Sequence, residues 1–151
     1  MTTDLSDALV LTEVVPTATP GVGIGKITIN SPRTLNSLNL EILLSMREAL
    51  GNWEKDPRVA LVVIEGAGEK AFCAGGDVKR IASFIDQARA KSESPLALCQ
   101  VFFENEYRLD YAIHTYPKPI VVWGDGIVMG GGIGVMSGAS HRIVTETTMM
   151  A

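Results

Sequence analysis

Two glycine-rich corners constrain this chain more than anything else in it. The first reads Lys70-Ala71-Phe72-Cys73-Ala74-Gly75-Gly76-Asp77, the second Gly126-Ile127-Val128-Met129-Gly130-Gly131-Gly132. Each follows an apolar run with strand character and precedes a stretch able to start a helix. Such a corner exposes backbone N–H groups that have no partner inside the helix, and the helix dipole favours negative charge at the same end. A single corner of this kind reads as a tight turn that glycine tolerates. Two aimed at one point can hold an oxygen that gains charge during a reaction. The candidate donors are the N–H groups of Gly76 and Gly131.

The segments around the corners alternate between strand and helix patterns. Leu9 to Val15 is β-rich, and Val22 to Ile29 places Ile27 and Ile29 on the face opposite Val22, Ile24, Lys26 and Thr28. These two predict a hairpin. Asn39 then caps a helix in which Leu43, Met46, Leu50 and Trp53 share a face. Val59 to Ile64 is nearly all apolar, the pattern of a strand covered on both faces. Beyond the first corner, Val78 to about Arg89 predicts a helix capped by Asp77, and Ala90 to Ser94 a mobile loop. A longer helix follows from Pro95 to about Thr115, with Leu98, Val101 or Phe102, Asn105 and Leu109 near one stripe. Ile120 to Trp123 is a strand, Gly131 to about Ser137 a short helix, Arg142 to Thr145 a strand, and Met149 to Ala151 the start of one more. The alternation defines an α/β chain with crossover units.

Composition narrows the function classes. The 151 residues carry a net charge of −4 and no basic tract, which argues against nucleic acid as a partner. No apolar run is long enough to span a bilayer. Cys73 and Cys99 are the only cysteines. Two unpatterned thiols point to a reducing compartment, and with a short acidic start that lacks a targeting pattern the expected location is cytoplasmic. Residues 1–8 read as a flexible tail, and 9–151 as one unit.

The familiar phosphate loops are absent. Gly25-Lys26 is followed by Ile27, and position 20 is Pro, so the Walker pattern fails. Counting from Gly130 or Gly132, the sixth position is Val135 or Ser137, so the dinucleotide pattern fails as well. His114 and His141 lack partners at metal spacing. Cys73 has no visible activating base and reads as a packing residue. Neither a metal nor a separate cofactor is expected.

The two corners resemble the oxyanion loops of the crotonase (enoyl-CoA hydratase/isomerase) superfamily, and Thr34-Leu35-Asn36-Ser37-Leu38 resembles its CoA-adenine loop. Order and spacing match from Leu9 onward. The resemblance implies an α/β fold, a crotonase-type spiral of ββα units that is incomplete at the C-terminus, with an acyl-CoA as partner. It also implies that Gly76 and Gly131 form a backbone oxyanion hole and that Leu35, Asn36, Ser37, Leu38 and Gly75 hold the CoA moiety. Phe102-Phe103-Glu104-Asn105-Glu106-Tyr107-Arg108-Leu109 is similar to a motif of the 3-hydroxyisobutyryl-CoA hydrolase branch. By that similarity Glu106 approaches the substrate. Asp77 is a second candidate for substrate contact beside its capping role. An uncovered strand edge favours self-association, hence a homo-oligomer.

Gly134 points to the subclass. Classical hydratases of this superfamily carry a catalytic glutamate at this position, and glycine offers no side chain for that role. The resemblance therefore favours thioester hydrolysis of a short branched 3-hydroxyacyl-CoA, as in valine breakdown. Hydration or isomerisation, and acyl-CoA binding without catalysis, are the alternatives. In the hydrolase branch the main acid–base carboxylate lies in a Pro-Glu-Thr segment just after the strand that Met149 begins. That group is expected beyond Ala151.

Overall fold

The computed structural model describes residues 8–91 and 94–151. Residues 1–7 of the expected tail, 92 and 93 of the expected loop and the Leu98 side chain lie outside the described residues.

The predicted hairpin forms. β1 (Val10–Pro16) and β2 (Gly23–Ile29) run antiparallel, with Val10 opposite Ile29. From β2 the sheet grows in parallel through β3 (Val59–Gly66), β5 (Ile120–Gly124) and β7 (His141–Val144), in the order β1-β2-β3-β5-β7. α1 (Leu40–Glu54) opens where Asn39 Oδ1 accepts the Ile42 N–H at 2.9 Å. Leu43, Met46, Leu50 and Trp53 are all buried, as their spacing predicts, and Ile42 and Ala49 join them. The Trp53 ring lies over β2 where Gly25 has no side chain; a Cβ there would come within 2.6 Å of the indole.

β3 departs from its sequence pattern. Val62 and Ile64 are fully buried, whereas Leu61 and Val63 are half-buried and Ala60 is exposed. The core lies against one face, where Ile27, Val62, Ile64 and Val122 pack with helix residues such as Met46 and Leu109. The other face carries Lys26, paired with Glu65 at 3.1 Å and Glu13 at 3.7 Å, and Trp123, 45% exposed. The apolar run therefore reflects β-branched preference for a pleated surface, not cover on both faces.

A second, smaller sheet holds the corners. β4 (Ala71–Cys73), β6 (Ile127–Val128) and β8 (Met149–Met150) pair in parallel in that order. Two or three residues are too few to show a period in sequence, so β4 and β6 are legible beforehand only as approaches to the corners. β4 leads toward α2 (Val78–Ala90) and β6 toward α4 (Gly131–Gly138). Between them runs α3 (Leu96–His114), which buries Phe102, Glu106, Leu109 and Ile113 on one stripe. Ala90 and Lys91, expected in the loop, close α2 as its last residue and C-cap.

Candidate active site

The two corners leave the C-terminal ends of adjacent parallel strands, the usual position for a ligand crevice in open α/β sheets. They touch backbone to backbone. Gly75 sits at φ +93°, and a Cβ there would lie 2.9 Å from the Met129 carbonyl and 3.3 Å from the Gly131 nitrogen. The Met129 N–H donates to the Cys73 carbonyl at 3.0 Å, and Gly132 packs directly on that same carbonyl. Only glycine permits this approach.

Both candidate amides are unclaimed, for traceable reasons. Leu38 and Gly76 form a parallel bridge in which the Leu38 N–H donates to the Gly75 carbonyl at 2.7 Å and the Asp77 N–H to the Leu38 carbonyl at 2.8 Å. That pattern uses the residues on either side of Gly76 and leaves its own N–H out. Gly131 is the first residue of α4, where the N–H has no carbonyl one turn back. Among the described residues neither N–H donates to a protein acceptor.

The 35–38 loop is fastened to the first corner. Besides the two Leu38 bonds, the Ala74 N–H donates to the Leu35 carbonyl at 3.0 Å. Leu35 and Asn36 both take left-handed backbone, each at φ 55°. Asn36 is fully buried, and its amide is committed to the fold. Its Nδ2 donates to the Ala67 and Ala71 carbonyls at 2.9 and 2.8 Å, and its Oδ1 accepts from the Ser31 N–H at 2.9 Å. Asn36 thus shapes the loop, while Leu35 and Ser37 are the partly accessible members. Ser37 Oγ donates to the Thr34 carbonyl at 2.6 Å.

Asp77 caps α2, accepting the Arg80 N–H at 3.1 Å. It also lines a cavity of about 160 Å³ with Leu38, Ile81, Phe84, Cys99 and Phe102. Phe102 closes that cavity toward Gly76, 3.3 Å from where a Cβ would stand. Cys73 is buried, and desolvation pushes its thiol up to about 12, which removes it as a nucleophile.

α3 brings two carboxyl groups against α4. Glu106 is only 8% exposed, and none of the described hydrogen bonds or ion pairs involves its carboxylate. Its Oε1 occupies the space that a side chain at Gly131 would fill. One turn on, Asp110 does the same at Gly134, where a Cβ would fall 2.6 Å from Oδ2. Asp110 Oδ1 is buried without a hydrogen-bond partner. Burial pushes the Asp110 carboxyl up to about 6, and burial together with the nearby Asp110 charge raises that of Glu106. Sequence reading singled out Glu106 but not Asp110. The available signal was their separation of four residues, which sets two helical side chains on one face.

The fold, with its paired glycine corners, is that of a crotonase-type α/β domain. The chain belongs to the enoyl-CoA hydratase/isomerase family, whose pattern matches residues 24–151. It is 45% identical over 127 residues to the 3-hydroxyisobutyryl-CoA hydrolase, mitochondrial, of Xenopus tropicalis, covering 84% of this chain and 31% of that protein. Against the protein of the same description from Homo sapiens the identity is 41% over the same shares. The chain thus spans about a third of the length of these curated relatives. Among solved structures it is similar to a carnitinyl-CoA dehydratase from Mycobacterium thermoresistibile, with TM-score 0.81 and 41% identity over 96% of this chain and 39% of the other. An enoyl-CoA hydratase from Rhodobacter sphaeroides 2.4.1 gives TM-score 0.81 and 39% identity over 95% and 39%. The crotonase-type α/β fold expected from the sequence is the fold observed.

One expectation is overturned. The hydrolase relatives are described as mitochondrial, which contradicts the cytoplasmic location inferred from composition. Two free thiols require only a reducing compartment and cannot tell one such compartment from another.

Proposed function

We infer that this chain binds an acyl-CoA thioester with its carbonyl oxygen on the Gly76 and Gly131 amides, and that the reaction served is hydrolysis of a short branched 3-hydroxyacyl-CoA. The particular substrate proposed is 3-hydroxyisobutyryl-CoA, in valine breakdown. The observation that carries this reading is the pair of unclaimed amides at touching corners, with the buried carboxyl of Glu106 beside one of them. As water adds to the thioester carbon, the oxygen gains charge. Two preorganised N–H donors then stabilise the transition state more than the substrate; one such donor is typically worth roughly 3 kcal/mol.

The remaining roles follow the same placement. Leu35, Ser37, Leu38 and Gly75 line the path for CoA, with Asn36 setting the loop's shape. Asp77 faces the cavity next to Gly76 and contacts the substrate from there. No cofactor beyond the CoA of the substrate is called for. The water-activating carboxylate is assigned to the Pro-Glu-Thr segment that the resemblance places after β8.

A second reading, hydration or isomerisation, draws support from the hydratase and dehydratase names of the similar structures. Gly134 weighs against it, because the position offers no side chain and its space is taken by Asp110. The test is to mix 3-hydroxyisobutyryl-CoA with the chain extended through the Pro-Glu-Thr segment and follow free thiol and enoyl absorbance together. Thiol release without an enoyl signal supports hydrolysis. An enoyl signal without thiol favours hydration chemistry. Binding with neither assigns acyl-CoA binding alone.

A further inference from the structure

The Glu106–Asp110 pair has a consequence beyond the thioester chemistry. Both carboxyls come from α3, and both fill space left open by glycines on α4. α4 contributes nothing ionisable of its own between Gly131 and Gly138. From β4 only Cys73 faces the pair, and its thiol stays neutral. From α1, Arg47 reaches α3 but donates to Asn105 at 3.3 Å. Among the described residues no cation is paired with either carboxylate. The Glu106 side chain, only 8% exposed as a whole and with no protein partner for its carboxylate, lies against Gly131, the residue whose amide is unclaimed, in the place a Cβ there would take. An acyl group whose carbonyl rests on that amide therefore lies next to uncompensated negative charge in a poorly solvated place.

We propose that Glu106 and Asp110 act together as an acyl-selectivity pair, admitting thioesters whose acyl group is uncharged and rejecting those whose acyl group carries a carboxylate. The proposal rests on the acyl-CoA reading above and deepens it by naming the excluded substrate class. The physical basis is that like charges brought together at a desolvated contact oppose binding strongly, whereas a methyl or hydroxyl group meets no such opposition. Asp110 adds its own charge from the space at Gly134, one turn along α4.

The test uses two probes that differ only where the pair would sense them. Isobutyryl-CoA and methylmalonyl-CoA share a branched skeleton in which one methyl is replaced by a carboxylate. Calorimetric titration of the chain with each yields an affinity ratio in which the CoA phosphates cancel. At about pH 8 the uncharged thioester should bind roughly tenfold or more tighter. Lowering the pH to about 5 protonates Asp110 and moves Glu106 toward its neutral form, and should shrink that ratio several-fold. Glu106→Gln and Asp110→Asn should each shrink it at pH 8, and the double variant should shrink it most. Equal affinities for the two probes would overturn the proposal while leaving the acyl-CoA reading intact. A preference that does not change with pH or with either variant would assign the discrimination elsewhere and overturn it as well. Failure of isobutyryl-CoA and free CoA to bind at all would overturn the acyl-CoA reading, and the proposal with it. Should a variant not fold, the pH series on the unaltered chain decides alone.

Discussion

Gly131 and Glu106 share one space: a methyl group on Gly131 would overlap the Glu106 carboxylate and lie 3.0 Å from Leu38 Cδ1. The first residue of α4 is therefore glycine for two reasons. Its amide is left open, and its missing side chain is the slot into which α3 inserts a carboxyl. Gly131→Ala should expel Glu106 without deleting the N–H. Because the clash is with the end of a flexible side chain, the expected stability loss is modest, about 1 kcal/mol. Acyl-CoA affinity should fall by at least about tenfold, equivalent to about 1.4 kcal/mol. Denaturant melts and calorimetry measure the two separately.

Gly134 and Asp110 form the second slot, and their coupling is measurable. Gly134→Ala places a methyl 2.6 Å from Asp110 Oδ2 and should cost about 1–3 kcal/mol by overpacking. Combining it with Asp110→Ala removes the obstacle. A double-mutant cycle should show a favourable coupling of about 1 kcal/mol or more. Simple additivity would mean that the two positions do not compete for space.

Asn36 is expected to matter for folding before it matters for ligand. Asn36→Ala leaves the Ser31 N–H and the Ala67 and Ala71 carbonyls without the partner they have now. It also puts a residue less suited to left-handed backbone at φ 55°. The expected loss is about 2–4 kcal/mol, read from urea midpoints at constant slope.

The pH dependence of stability follows from Asp110. Its carboxyl rises from 3.8 to about 6 on folding, so between those values the folded chain keeps a proton that the unfolded chain has released. Stability from this group is therefore complete below about pH 4 and is lost as pH rises through about 6. The raised Glu106 carboxyl acts in the same direction. Asp110→Asn should be more stable than the parent above about pH 6, by about 1–2 kcal/mol after allowance for partial solvent screening, and the gain should vanish below about pH 4. Thermal melts across that range give the answer.

Thiol labelling provides an independent check on burial. Cys73 is fully buried with its thiol pushed up to about 12, whereas Cys99 is partly accessible at the wall of the 160 Å³ cavity. A disulfide reagent should modify one thiol per chain under native conditions and two only on unfolding. Rapid native labelling of Cys73 would place the first corner in a looser packing than described.

Much of the fold was legible in the residue pattern. The hairpin faces of β2, the buried stripe of α1 and the caps at Asn39 and Asp77 all follow from periodicity and side-chain chemistry, and each is observed. The β3 pattern was legible but ambiguous. Its apolar run states a preference for strand, while the number of faces covered depends on where the helices pack. In α3 the choice between Val101 and Phe102 could not be made locally; Phe102 is buried and Val101 is 43% exposed.

The sequence by itself determined where the two glycine corners fall, which residues lead into and out of them, and that the start of α4 leaves the Gly131 amide open. Those are local consequences of backbone geometry, and a local pattern records them. Only the tertiary structure decided that the corners touch through Gly75 and Gly131, that Asn36 is committed to backbone, and that Glu106 and Asp110 fill the empty places on α4. Each of these joins residues distant along the chain through close packing. The space that a missing side chain leaves is defined by its neighbours in the fold, not by its neighbours in sequence.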